Sequence, residues 1–205
     1  MKNYDEISEK LKENLDHKRY IHTLGVAYTA AAMAMRYEYD TDRALLAGLL
    51  HDCAKCIPND EKFRLCSEGG IILSEVEQRN TALIHAKLGV YIAERDYGVT
   101  DREILDAIRT HTTGEPDMTL LQKIIYTADL IEPGRDAQMI PHLPLFRRVA
   151  FEDLDECIYI VTKHQLEYLE GESGKEVDPE TRRTYDYYSM IHAETFQAGP
   201  AVLRS

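Results

Sequence analysis

Apolar residues along this chain recur at helical spacing, and no stretch alternates long enough to predict a sheet. Ile21, Leu24, Tyr28, Ala31 and Met35 hold one helical face through an Ala-rich segment. Thr41 or Asp42 is placed to cap a next helix running to about His51. Ile57-Pro58-Asn59-Asp60 then breaks the chain before a short helix over Glu61–Ser67, and Gly69-Gly70 marks a turn. Further helices are predicted at about Thr81–Tyr97, Asp101–Thr110 and Thr119–Ile131, with Thr100 and Asp117 or Thr119 as caps and Pro133-Gly134 as the stop. Pro141 and Pro144 punctuate a connecting loop. A long amphipathic helix fits Phe151–Leu169, with Leu154, Ile158, Val161 and Leu169 on one face. Gly171–Val177 reads as a polar linker, and Asp178-Pro179-Glu180 opens a C-terminal helix carrying Tyr185, Tyr188 and Ile191. The expectation is an all-α bundle over residues 1–170, with residues 171–205 a linker and helix packed on the same domain.

Five polar sites interrupt the apolar faces: His22, the pair His51-Asp52, His85, His111 and Asp129. Ile104, Ile108 and His111 follow i, i+4, i+7, and Leu121, Ile125 and Asp129 follow i, i+4, i+8, so both polar residues extend an apolar face. A buried unpaired carboxylate is very costly and is normally paired or on a metal. Each residue alone has an ordinary reading, as a helix end or a satisfied core histidine. His51 and Asp52 are adjacent, so they share a ligand only if the helix end turns there. Together the set makes a nest for one or two metal ions. Mixed imidazole and carboxylate donors suit iron, manganese, cobalt, nickel or zinc, and two-metal sites are built for cleaving phosphate esters and anhydrides.

Composition narrows the setting. At 205 residues, 44% apolar and 29% charged, the chain suits one ordinary globular domain. A net charge of −12 argues against a nucleic-acid polymer as partner, although a few Arg or Lys residues and a metal can still dominate a pocket. The longest apolar runs, such as Ala44–Leu50, are far too short to span a bilayer, and the N-terminus lacks a signal-peptide core. No membrane role is expected, and the cytoplasm is the default location. Four unevenly spaced cysteines do not suggest a disulfide framework.

The segments RYIHTLGVA (Arg19–Ala27), AGLLHDCAK (Ala47–Lys55), LIHAKLG (Leu83–Gly89) and RTHTTGEPDMTLLQKIIYTADLIEPGR (Arg109–Arg135) resemble the HD-domain metal phosphohydrolases, whose pattern is H…HD…D on a helical bundle. More narrowly, the chain is similar to the YqeK family of symmetrical bis(5'-nucleosyl)-tetraphosphatases. The resemblance runs from about residue 17 to 170, with the HD core at about 17–135, and the HTTG and ADLIEPGR segments are more specific than the general pattern. It implies His22, His51, Asp52 and Asp129 as core metal ligands, His85 and His111 as completing a second metal site, and Asp52 as the bridging ligand. Iron is the first metal it suggests, as one or two ions. Asp52 and Lys55 become the catalytic candidates. Lys55, Arg19, Arg135, Thr112 and Thr113 become substrate-binding candidates, with a surface ion pair for Arg19 and a turn cap for the threonines as the plainer readings. The implied reaction is hydrolysis of diadenosine tetraphosphate to two ADP through a metal-bound hydroxide. Another HD-domain phosphohydrolase, a nucleotidase or alarmone hydrolase, is the nearest alternative, and a non-catalytic nucleotide sensor the more distant one.

Two features stay outside that reading. Cys53-Ala54-Lys55-Cys56 has C-x-x-C spacing, but no βαβ context supports redox chemistry, and a zinc site would lack ligands. Tyr185, Tyr187 and Tyr188 could stack a nucleobase, though half-buried packing is the commoner role of tyrosine. The Tyr-rich end and the long amphipathic helices are compatible with a homodimer interface and equally with burial inside one chain.

Overall fold

A computed structural model describes residues 4–172 and 176–198. Among these residues the secondary structure is entirely helical. The helices are α1 (Tyr4–Asn14), α2 (His17–Arg36), α3 (Thr41–Leu50), α4 (Asn59–Glu68), α5 (Glu75–Arg79), α6 (Ile84–Tyr97), α7 (Arg102–Thr110), α8 (Leu120–Ile131), α9 (Leu143–Val149), α10 (Leu154–Glu167) and α11 (Pro179–Ala198). A π-helical turn, Tyr168–Glu172, prolongs α10. The core is one continuous apolar cluster with α8 at its centre, where Leu121, Ile124, Ile125 and Ala128 are fully buried. α2, α3, α7 and α10 pack around α8, α6 lies on α7, and α11 lies along α10.

The packing of α2 on α3 depends on small residues. A Cβ on Gly48 would stand 2.7 Å from the Ala27 Cα, so glycine there lets the two backbones meet. This draws the N-terminal part of α2 and the C-terminal end of α3 together, the ends that carry His22 and His51.

Several boundaries differ from the sequence expectation. Asp40 and Asp101 cap α3 and α7, accepting from Arg43 N and Glu103 N, in place of Thr41 or Asp42 and Thr100. Thr119 does cap α8, in a capping box with Gln122. The region around Pro141 and Pro144 is not all loop, because Pro144 sits in the first turn of α9, where its missing N–H is harmless. α1 and α5 have no counterpart in the prediction. α6 starts at Ile84 and α10 at Leu154, each three residues inside its expected start. Of the linker expected over residues 171–177, Gly171 and Glu172 continue the π-helical turn, and 173–175 lie outside the described residues.

Candidate metal centre and adjoining cavity

The cluster forms where the C-terminal ends of α3, α7 and α8 meet the first turns of α2 and α6. The last carbonyls of a helix have no partner within it, and the histidines use such groups. His51 Nδ1 lies 2.7 Å from Gly48 O and His111 Nδ1 lies 2.7 Å from Ile108 O, each at the end of its own helix. His85 Nδ1 is 2.5 Å from Ala82 O. A carbonyl oxygen only accepts, so each Nδ1 carries the proton and each Nε2 presents a lone pair. His22 Nδ1 is fixed likewise by a carboxylate, Glu132 Oε1, at 3.0 Å. Carboxylates and carbonyls that orient imidazoles in this way are the usual outer partners of metal-ligating histidines.

Asp52 is reached because the chain turns after Leu50: Cys53 N donates to Leu50 O, and Lys55 N to Asp52 O. The turn lets the adjacent pair face one point, with His51 Nε2 at 3.4 Å from Asp52 Oδ2. The carboxylate is two-sided. Oδ2 faces His51 and, at 3.9 Å, His22. Oδ1 faces His85 Nε2 at 3.1 Å and His111 Nε2 at 3.5 Å. Asp129 Oδ1 closes the first side, 2.9 Å from His22 Nε2 and 3.8 Å from His51 Nε2. All six residues foreseen as ligands therefore come together. Asp129 differs from expectation in degree: its side chain is 23% exposed, at the mouth of the cluster, whereas His51, Asp52, His85 and His111 are buried.

These residues fit a metal. His22 Nε2, His51 Nε2 and Asp52 Oδ1 are buried with no hydrogen bond of acceptable geometry. His85 Nε2 and His111 Nε2 stand 3.0 Å apart, two lone pairs facing one another. The atoms His22–His51–Asp129 and His51–Asp52–His111 each lie within 4.8 Å of one another. Such a set suits a first-row divalent ion. Burial alone would raise the Asp52 carboxyl, but the His51, His111 and His85 rings gathered about it hold it well below the ordinary range. Asp129 is likewise held far down against its burial by His22, His51 and Arg135. Burial pushes His85 down to about 4, so at neutral pH it is an uncharged donor.

Cations ring the cluster. Arg19 Nη1 is 2.7 Å from Asp52 Oδ2, so it belongs to the site and is not a surface pair. Lys55 Nζ is 3.1 Å from His85 Nε2 and 3.8 Å from Asp52 Oδ1, and burial lowers its pKa. Arg135 reaches Asp129 Oδ1 at 2.6 Å and anchors its Nε on Asp129 O. Thr112 Oγ1 is 3.3 Å from His85 Nε2 and 3.2 Å from His111 Nε2. The Thr113 hydroxyl donates to Gly114 O and its carbonyl accepts from Thr184, and neither contact touches the cluster.

The sequence reading missed Glu132. It is buried, holds His22 Nδ1, and accepts from Gly134 N at 2.5 Å. A Cβ on Gly25, one turn along α2 from His22, would run into Glu132 Oε2. The signals were a carboxylate just before the Pro-Gly stop and a glycine inside an Ala-rich helix. The cysteines are free: Cys53 Sγ donates to Gly89 O, and Cys56 Sγ points at Asp16. Tyr188 is fully buried and Tyr185 stacks on Tyr159, which supports packing over ligand stacking. Beside the cluster, a cavity of about 490 Å³ opens between α8, α10, α9 and the residues leading into it, and Asp129, His111 and Thr112 belong to its lining.

An all-α bundle built around such a His/Asp cluster defines a metal-dependent hydrolase class, and comparison with known proteins agrees. The HD domain model matches residues 19–134, a span that holds the whole cluster and Glu132. The chain is 37% identical over 185 residues to the Bis(5'-nucleosyl)-tetraphosphatase, symmetrical, of Bacillus subtilis (strain 168), covering 90% of this chain and 97% of that one. It is 36% identical over 172 residues to the protein of the same name from Staphylococcus aureus, covering 82% and 85%. It superposes with a TM-score of 0.88, at 37% identity, on the crystal structure of a predicted HD superfamily hydrolase involved in NAD metabolism from Clostridium acetobutylicum, covering 93% of this chain and 99% of that one. The chain belongs to the HD-domain family and, within it, to the YqeK-type group of symmetrical bis(5'-nucleosyl)-tetraphosphatases.

Proposed function

We propose that this chain hydrolyses dinucleoside tetraphosphates, chiefly diadenosine tetraphosphate, at the central bridge to give two ADP. The observation that carries the reading is the two-sided Asp52 carboxylate, with His22 and His51 on one oxygen and His85 and His111 on the other. In this reading His22, His51, Asp52 and Asp129 hold one ion, and His85 and His111 share Asp52 around a second. Iron is the first ion to test, and manganese, cobalt, nickel and zinc share the donor preference. When bound, the metal acts as a Lewis acid toward phosphate oxygens and makes water a nucleophile at neutral pH.

The remaining steps fall to the chain's own residues. Arg19 and Lys55 on one side and Arg135 on the other, all half-buried, take up phosphate charge. The Thr112 hydroxyl is a donor toward the inner phosphates. One water oxygen is added to phosphorus, the bond to the central bridging oxygen breaks, and the second ADP departs on it. Asp52 and Asp129 add carboxylate oxygens to the imidazole lone pairs that would hold the metal. Among the described residues no helix is long and apolar enough to cross a membrane, and we place the reaction in the cytoplasm.

The test is a product assay with diadenosine tetraphosphate on anaerobically prepared protein, with metal content measured on the same sample. ADP as sole product, lost in Asp52→Ala and Asp129→Ala, supports the reading. No turnover by fully metallated protein, or AMP and ATP as products, overturns it.

A further inference from the structure

α2 turns its two faces the opposite way from its sequence pattern. The residues that pack inward are Thr23, Val26, Ala27, Ala30, Met33 and Ala34, mostly small. The regular apolar face, with Ile21, Tyr28 and Met35, looks outward, and these side chains are 51%, 67% and 66% exposed. They recur every seven residues, the spacing that keeps one seam of a helix against another helix. The row is free of charge. No residue from Thr23 to Met35 is charged, and α2 has no acidic residue in a chain with 36 Asp and Glu. Each copy carries a net charge of −12, so two copies repel where their acidic surfaces meet, and the outer face of α2 is where they can approach.

The row is also symmetric about its centre. A two-fold interface sets one patch against itself, so that residue i meets j and j meets i. With two α2 helices antiparallel and the axis at Tyr28, Ile21 comes opposite Met35 of the second copy, each seven residues from the axis. Leu24 comes opposite Ala32, large against small. Lys18, ten residues before Tyr28, comes opposite Glu38, ten residues after it in the turn that follows α2, and both are exposed. Opposite charges thus meet at the rim around an uncharged centre, the common anatomy of an interface. The three large side chains leave roughly 350 Å² open, about half of what each partner of a standard interface supplies, and the rim must supply the rest. We propose that the outer face of α2 is a homodimer interface, with two copies of this chain packed α2 on α2, antiparallel about Tyr28. The proposal does not depend on the reaction.

The experiment is sedimentation velocity on the full chain across the micromolar range, with wild type, Tyr28→Lys and Met190→Lys. Wild type should sediment at twice the chain mass of 23.5 kDa. Tyr28→Lys sets two ammonium groups at the axis and removes both anchoring rings, so the dimer should weaken at least about a hundredfold. Circular dichroism should be unchanged, because Tyr28 lies outside the core. Met190, 63% exposed on α11, is the control, and Met190→Lys should leave the dimer intact. Orientation is read by oxidative cross-linking. An equimolar mixture of Ile21→Cys and Met35→Cys chains should yield covalent dimer above the wild-type background, and neither variant alone should. A monomeric wild type overturns the interface. A dimer that survives Tyr28→Lys, or that Met190→Lys alone dissociates, lies on another face and overturns it too. Cross-linking of Ile21→Cys with itself would mean a parallel pair and overturn the arrangement.

Discussion

Two regions of this molecule gather polar side chains, one deeply buried and one only partly, and they treat them in opposite ways. Along α10 and α11, polar groups have been given individual partners. Tyr188 accepts from Met118 N at 3.2 Å, Tyr187 donates to Asp117, and His192 Nδ1 pairs with Glu156 Oε2 at 2.5 Å. Tyr159 stacks on His192 with ring centroids 4.1 Å apart. Between α2, α3, α6, α7 and α8, partners are supplied to only one side of each ring. Every Nδ1 is held by a carbonyl or a carboxylate, and the Nε2 atoms converge on one region, those of His22 and His51 with no hydrogen-bond partner. Residue types do not separate the two regions, since both contain histidine, carboxylate and buried hydroxyl. What separates them is whether lone pairs are paired off locally or directed at a common point. A buried polar group left unpaired costs about 1–3 kcal/mol, so several in one place call for a guest.

The largest expected effect comes from removing the shared carboxylate. Asp52→Ala should lower turnover of diadenosine tetraphosphate on the order of a thousandfold, because metal-centred charge stabilisation is worth several kcal/mol. Circular dichroism should stay that of the folded protein. Wild-type turnover at unchanged metal content would remove the cluster from the reaction and leave it a costly version of the α10–α11 layer.

Next comes the outer partner of His22. Glu132→Ala frees His22 Nδ1, and loss of such a group typically weakens metal affinity or activity by about 10–100-fold. Gly25→Ala is the sharper probe. In an exposed helix interior the change would stabilise by about 1 kcal/mol, but here the new Cβ runs into Glu132 Oε2. Metal titration should show both variants weakened. If Gly25→Ala binds metal as wild type does, Glu132 is not the support that its contacts suggest.

Acid should also distinguish the regions. The folded-state pKa of His85 is about 4, below the ordinary 6.5. Its neutral form therefore supports the fold fully above pH 6.5, and that support is lost as pH falls toward 4. For metal-stripped protein this predicts a loss of about 2 kcal/mol between pH 7 and pH 5 by urea unfolding. Asp52 and Asp129, depressed carboxyls, keep their contribution over that window and lose it only at lower pH. His85→Gln should flatten the profile, and an equally steep profile in that variant would place the titration elsewhere.

Much of this was legible in the chain. The cluster residues could be found because each breaks a helical apolar face, a conflict visible in one dimension, as with Asp129 after Leu121 and Ile125. Glu132 was not, because it sits past the end of its helix, where a carboxylate conflicts with nothing local, and only the fold brings it to His22. α9 was missed because Pro144 reads equally as a break or as a first-turn residue. Adjacency in sequence hides that Thr112 and Thr113 make different contacts, Thr112 with His85 and His111 and Thr113 with Gly114 and Thr184. The cavity is assembled from α8, α10, α9 and the segment before it, and no local pattern announces such a surface.

The smallest expected effect tests the other side of the contrast. Tyr188→Phe keeps the buried ring, and with it the Lys123 ammonium 5.8 Å from its centroid. It removes only the oxygen that accepts from Met118 N, leaving that N–H unpaired beside a buried side chain. The cost should be about 1 kcal/mol of stability, read as a lower urea midpoint with unchanged slope. Turnover and metal content should match wild type, because this layer satisfies itself and sends no lone pair toward the cluster. A drop in turnover at intact stability would mean that α11 reaches the chemistry through the Met118 turn, and the two regions would then be parts of one site.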